Sequence, residues 1–101
     1  MINWRLTIEY PNDFERLTEM SELLKSIAHP IRLCIVRGLI KQGECSVNKM
    51  HECLKLPQST VSQHLGKLRN LGIIKGRRQG VEIYYQVVND EIKRIVHALF
   101  L

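Results

Sequence analysis

Gln58-Ser59-Thr60-Val61-Ser62-Gln63-His64-Leu65 is the stretch on which the reading of this chain turns. Val61, Leu65 and Leu68 recur at helical spacing, so one side of the segment is apolar. The other positions are uncharged polar side chains and one histidine, with no acid among them. Ser and Thr are indifferent helix formers, and a face that met only water would carry more Glu and Lys. Amides and hydroxyls suit a different task. The major groove of DNA admits a helix, Gln pairs bidentately with adenine, and Ser or Thr bonds to bases or phosphates. Gln58, Ser59, Ser62 and Gln63 are therefore candidate base-reading residues. Thr60, His64 and Lys67 lie on an adjoining face suited to backbone contact.

The surrounding sequence supplies a scaffold for such a helix. Leu56-Pro57 makes a tight turn before it, and Ser46 caps a preceding helix with Val47, Met50, Cys53 and Leu54 on one side. Two short helices so closely spaced predict a helix-turn-helix. Further upstream, a lead-in ends at Pro11, and Asn12 or Asp13 caps a first helix whose apolar positions are Phe14, Leu17, Met20, Leu24 and Ile27. Ala28-His29-Pro30 breaks it, and Pro30 opens a second helix carrying Ile31, Cys34, Ile35, Leu39 and Ile40 until Gly43. Downstream, Gly72 stops the fourth helix and the period changes from helical to alternating. Ile73 and Ile74 lead into Lys75-Gly76-Arg77-Arg78, Gln79-Gly80 gives a turn, and Val81 through Val88 is rich in β-branched and aromatic residues, which predicts a β-hairpin. Asn89-Asp90-Glu91 caps a last helix. The reading is one mainly α domain over residues 1–101 with a β-hairpin wing, in the order α-α-α-α-β-β-α.

Charge supports a polyanionic partner. Fifteen Lys and Arg stand against ten Asp and Glu, a net +5. The imbalance sits in the second half: Lys67, Arg69, Lys75, Arg77 and Arg78 occur with no acid between them, whereas the first 22 residues hold five acids and two bases. Displacing counterions from phosphates rewards each such cation. Arg77, Arg78 and Gln79 at the hairpin tip thus form a second candidate contact with a duplex. Three cysteines are too few for a disulfide framework, no basic-then-apolar leader is visible, and no apolar run approaches a membrane span. A cytoplasmic protein with no membrane partner is expected. No paired carboxylates, activated nucleophile or phosphate loop is present, so an enzyme is not expected.

Three motifs, in order and correctly spaced, resemble the ArsR/SmtB family of winged helix-turn-helix repressors. They are Lys25-Ser26-Ile27-Ala28-His29-Pro30-Ile31-Arg32-Leu33, Leu56-Pro57-Gln58-Ser59-Thr60-Val61-Ser62-Gln63-His64-Leu65, and Arg78-Gln79-Gly80-Val81-Glu82-Ile83-Tyr84-Tyr85. The resemblance implies a homodimer built from the first and last helices, with two recognition helices on an inverted-repeat operator. Phe14, Leu17, Met20, Ile92, Ile95, Val96, Leu99 and Phe100 are the expected interface residues, since they are more apolar surface than one small core needs.

The family's metal sites are not matched. Positions where the resemblance implies a Cys-x-Cys pair hold Ser46 and Asn48, and those of an Asp-x-His pair hold Asn89 and Glu91. His97 stands alone. No metal and no cofactor are expected, as in the metal-independent members of the family. Cys45 is the thiol expected to be most exposed, which leaves a thiol-responsive repressor as an alternative. Cys34 and Cys53 fall in apolar stripes, and Cys45 and Cys53 would lie roughly 12 Å apart along a helix, too far for a disulfide. A winged-helix interaction module that does not bind DNA is a third reading, and it predicts acids on the helix and no basic wing.

Overall fold

The computed structural model of the chain describes residues 13–100. The lead-in to Pro11 and the Asn12 cap lie outside them. The elements run α1 (Asp13–Ile27), α2 (Pro30–Gln42), β1 (Cys45–Ser46), α3 (Val47–Leu54), α4 (Gln58–Asn70), β2 (Ile74–Gln79), β3 (Glu82–Val87) and α5 (Asp90–Phe100). The helix ends obey the local signals. His29 caps α2 by accepting the Ile31 amide on Nδ1, and Pro30 takes the first turn. Ser46 accepts from the Lys49 amide at 3.2 Å, and Asn89 Oδ1 from the Ile92 amide at 2.9 Å. Gly43 and Gly72 close α2 and α4 at φ +86° and +71°, where a Cβ would be strained.

One core joins every element. Val36, Val61, Leu68, Ile73, Ile92 and Val96 are fully enclosed, with Ile35, Leu39, Leu65, Ile74 and Val87 around them. Val61, Leu65 and Leu68 seat α4 in this core, while α3 packs against its side. The sheet has three strands rather than the two of a hairpin. β3 lies between β2 and the two-residue β1, antiparallel to both, with Cys45 opposite Tyr85 and Ser46 opposite Tyr84. The wing is thereby tied by its backbone to the start of the helix-turn-helix.

Two expected interface residues are corrected here. Ile92 and Val96 are wholly buried within the chain's own core, so no partner can cover them. They hold α5 onto the domain. On α1 and α5 the apolar surface left over is Phe14, Leu17, Leu24, Leu99 and Phe100, with Met20 and Ile95 half-buried. Arg16 and Glu91, 3.7 Å apart, link the two helices.

Candidate nucleic-acid interface

The turn between α3 and α4 exposes the start of α4. Lys55 ends α3 in the left-handed conformation at φ +56°, and Leu56-Pro57 reverses the chain. Pro57 offers no side-chain cap, and the first turn of α4 contains no acid. The amides of Gln58 and Ser59, which precede the first intrahelical bonds at Thr60 and Val61, point outward with the partial positive charge of a helix N-terminus. An anion is favoured there.

Beyond that turn α4 divides into three strips at helical spacing. Ser59, Gln63, Gly66 and Asn70 lie opposite the buried Val61–Leu65–Leu68 stripe. Ser59, Gln63 and Asn70 are exposed. Gln58, Ser62 and Arg69 lie on the wing side and line a groove shared with Ile83 and Tyr85. Thr60, His64 and Lys67 lie on the α2 side. His64 differs from the expectation of an open backbone contact. Its ring stacks obliquely on His29 at 4.7 Å, and Arg32 Nη1 donates to its Nδ1 at 3.4 Å. Burial first, then the charges of His29, Arg32 and Lys67, push its pKa below the ordinary histidine value. A half-buried imidazole packed on α2 holds the helix in place.

In the wing, β-sheet alternation separates the two arginines. Gly76, Arg78, Ile83 and Tyr85 share the face that packs toward α4, whereas Arg77, Gln79, Glu82 and Tyr84 share the opposite face. Arg77 is committed there. Its Nη2 and Nε donate to the two Glu44 oxygens at 2.7 and 3.2 Å, its Nη1 donates to Gln79 at 2.8 Å, and it stands 5.1 Å from the Tyr84 ring centre. The hydrogen bond from Arg77 holds the Glu44 carboxyl below the usual carboxylate range. Tyr84 and Asn48 each donate to Glu82 at 2.9 Å, continuing the polar chain onto α3. Arg78 is exposed on the α4 side, and among the described residues it has no ion-pair partner.

Sequence reasoning counted Arg69 only as one of the cations and passed over Gly66. Arg69 Nη1 donates to the buried Tyr85 hydroxyl at 3.0 Å, locking the wing to α4. Gly66 leaves the outward strip without a side chain midway along it. The signal for both was their helical spacing from Ser62 and Ser59. Ser46 and Asn48, where the resemblance places a metal pair, are occupied in capping α3 and in bonding Glu82. Among the described residues no helix is long and apolar enough to cross a membrane.

The comparisons with known proteins agree with this geometry. The profile of the family described as bacterial regulatory protein, arsR family, matches residues 29–75, from the α2 cap to β2. The transcriptional repressor PagR of Bacillus anthracis is 44% identical over 92 residues, which is 91% of this chain and 92% of PagR. The chain belongs to the arsR family. The PagR crystal structure superposes with a TM-score of 0.77 at 46% identity, covering 85% of this chain and 98% of PagR. A biofilm growth-associated repressor of Agrobacterium fabrum is 41% identical over 93 residues, 92% of this chain and 79% of that protein. A homodimeric winged helix-turn-helix DNA-binding domain from Mycobacterium bovis, 24% identical, shares the fold at a TM-score of 0.78 over 90% of this chain and 83% of that one. Mainly helical architecture with an antiparallel wing, and a transcriptional regulator rather than an enzyme, are what arsR-family membership and these relatives establish.

Proposed function

We propose that this arsR-family chain is a cytoplasmic repressor that grips an inverted-repeat operator as a homodimer and needs no metal to do so. One observation carries the proposal. The outward strip of α4 offers Ser59 and Gln63, with Ser62 and Gln58 beside them, and Arg78 faces the same side from the wing. Short donors and acceptors reach base edges, and the cation and the open α4 amides meet the flanking phosphates. Thr60 and Lys67 extend the phosphate contacts toward α2. Arg77, bonded both to Gln79 and to Glu44, positions the wing in this reading.

Dimerisation uses the leftover apolar surface on α1 and α5. Phe14 is 65% exposed and Leu99 60% exposed, and isologous pairing about a two-fold axis covers both. Leu99→Asp is expected to yield a monomer by light scattering and to lose operator affinity while keeping the helical circular-dichroism spectrum.

Selection of bound duplexes from a random pool, run with reduced, oxidised and metal-loaded protein, tests the whole reading. The expected result is a palindromic site recovered equally from the reduced and metal-loaded samples. Ser62→Ala or Gln63→Ala then costs about 1–3 kcal/mol on that site if the residue contacts a base. A pool that stays random in moderate salt removes the proposal.

A further inference from the structure

The chain's three cysteines, scattered in sequence, converge in space. Cys34 on α2, Cys45 on β1 and Cys53 on α3 all line one cavity of about 190 Å³ between these elements. Neither the recognition helix nor the wing contributes to its lining. The expected ranking of the thiols is reversed here. Cys53 is exposed at the cavity rim, while Cys45 is half-buried, with its thiol donating to the Ser46 carbonyl at 3.6 Å. Burial raises the Cys45 pKa, against the lowering effect of Lys49. Because Cys45 sits in a strand before the helix begins, the helical rise that would separate it from Cys53 does not apply.

The rest of the lining describes what fits. Ile35, Leu39, Met50 and Leu54 make the walls aliphatic. Gly38 leaves open space, for a Cβ built there would meet no atom within 4 Å. A dry apolar cavity of about 150 Å³ accepts benzene, so this one has room for a single substituted ring. Lys49 lies one helical turn before Cys53 on α3 and also lines the cavity. An aliphatic pocket with a solvent-reachable thiol and an ammonium at its mouth suits an apolar electrophile that carries an oxygen. Peroxide, small and polar, has no use for such walls.

We propose that this cavity binds a monocyclic quinone and that Cys53 alkylates on it. The Cys53 thiol gives its proton to water, and the thiolate sulfur adds to an unsubstituted ring carbon. The S–C bond forms as the ring C=C π bond opens, and that electron pair moves onto the carbonyl oxygen, beside the Lys49 ammonium. That oxygen takes a proton, and the hydrogen on the attacked carbon is replaced by one on the second oxygen. The product is a hydroquinone thioether, so the quinone supplies the two-electron oxidation itself. The adduct lies between α2 and α3, the first helix of the helix-turn-helix, and displaces α3 from the position that presents α4. Only this last step rests on the DNA-binding reading.

The test treats the reduced full-length protein with one equivalent of 2-methyl-1,4-benzoquinone, followed by peptide mass mapping and titration of the selected operator. A single adduct on Cys53, operator release, and no release from treated Cys53→Ser are the expected results. Gly38→Leu, which fills the cavity, is expected to slow quinone addition by about tenfold, equivalent to ~1.4 kcal/mol of lost binding, with the iodoacetamide rate on Cys53 unchanged. Independently of any variant, the wild-type addition rate should level off as quinone concentration rises. A rate that stays linear, or adducts spread evenly over the three thiols, overturns the site. An adduct that leaves operator affinity intact overturns the switch. Untreated protein with no operator preference sinks the DNA reading and leaves the adduct chemistry standing.

Discussion

Gly76→Ala should cost the wing its fit against the helix-turn-helix, and the structure gives the size of the effect. Gly76 on β2 is the cross-strand partner of Tyr85 on β3, and the tyrosine ring lies over it. A Cβ at position 76 would stand 2.9 Å from Tyr85 Cε1, 3.3 Å from its Cζ and 3.1 Å from Ile83 Cγ2. The ring has little freedom to yield, because Tyr85 is only 4% exposed and its hydroxyl accepts from Arg69 at 3.0 Å. Overpacking of this kind costs about 1–3 kcal/mol. Removing a strand glycine returns about 0.5–1 kcal/mol, so a net loss of about 1–2 kcal/mol is expected. For a domain of this size that corresponds to a Tm about 5–15 °C lower. Thermal unfolding followed by circular dichroism, at one fixed protein concentration so that dimer mass action is constant, reads it directly. In a Tyr85→Leu background, which removes the ring, the cost of Gly76→Ala should fall by at least half, a coupling that reports the contact itself. A Gly76→Ala protein as stable as the parent, or an equal cost in both backgrounds, refutes the reasoning.

Arg78→Ala is expected to flatten the salt dependence of operator binding by about 0.9 in log–log slope, the loss of one phosphate contact. Arg77→Ala should change the slope less, its guanidinium being held by Glu44; fluorescence anisotropy across a potassium chloride series separates the two. His64 predicts an acid sensitivity. Its folded pKa lies below the ordinary histidine value, so on acidification the unfolded chain takes up the proton first and stability falls as pH drops through the histidine range. Urea midpoints between about pH 8 and pH 5 should therefore decline, and His64→Gln should show a shallower decline. Gly38→Ala, in open space on α2, should stabilise the protein by about 0.5–1 kcal/mol through helix propensity, read as a higher urea midpoint at unchanged slope.

Local chemistry made most of the fold legible. Ser46, Gly43, Pro30, Gly72 and Asn89 are terminal signals that act through backbone geometry within four residues, and each ends or begins a helix where its chemistry requires. Hydrophobic period identified the α4 core stripe for the same reason. Two-residue β1 left no such trace, for it exists only because β3 offers an unpaired edge to Cys45 and Ser46. Period was also silent about which apolar residues of α5 face the chain's own core. Ile92 and Val96 lie on the stripe that meets Val36 and its neighbours, whereas Leu99 and Phe100, in the last turn, stay exposed, with the Arg37 guanidinium of α2 4.6 Å from the Phe100 ring centre. Cysteine exposure was misjudged because it depends on where β1 and α2 place their walls, and no short window of sequence contains both.

The pairing of Arg77 with Glu44 shows why a basic hairpin cannot be read as a simple sum of cations. Adjacent residues in a strand point to opposite faces, so of two neighbouring arginines only one can face α4. The other must find a partner on the solvent side or remain an unopposed charge. Here it closes a polar chain from Glu44 through Arg77, Tyr84 and Glu82 to Asn48, which begins before β1 and ends on α3. On the opposite face Tyr85 and Arg69 tie the same strand to α4. The wing is thus held to both helices of the helix-turn-helix, by a buried aromatic on one face and a carboxylate-rich network on the other. Where Arg78 stands relative to Ser62 and Gln63 follows from both attachments, so the spacing between a wing contact and a base contact is a property of residues that themselves touch no DNA.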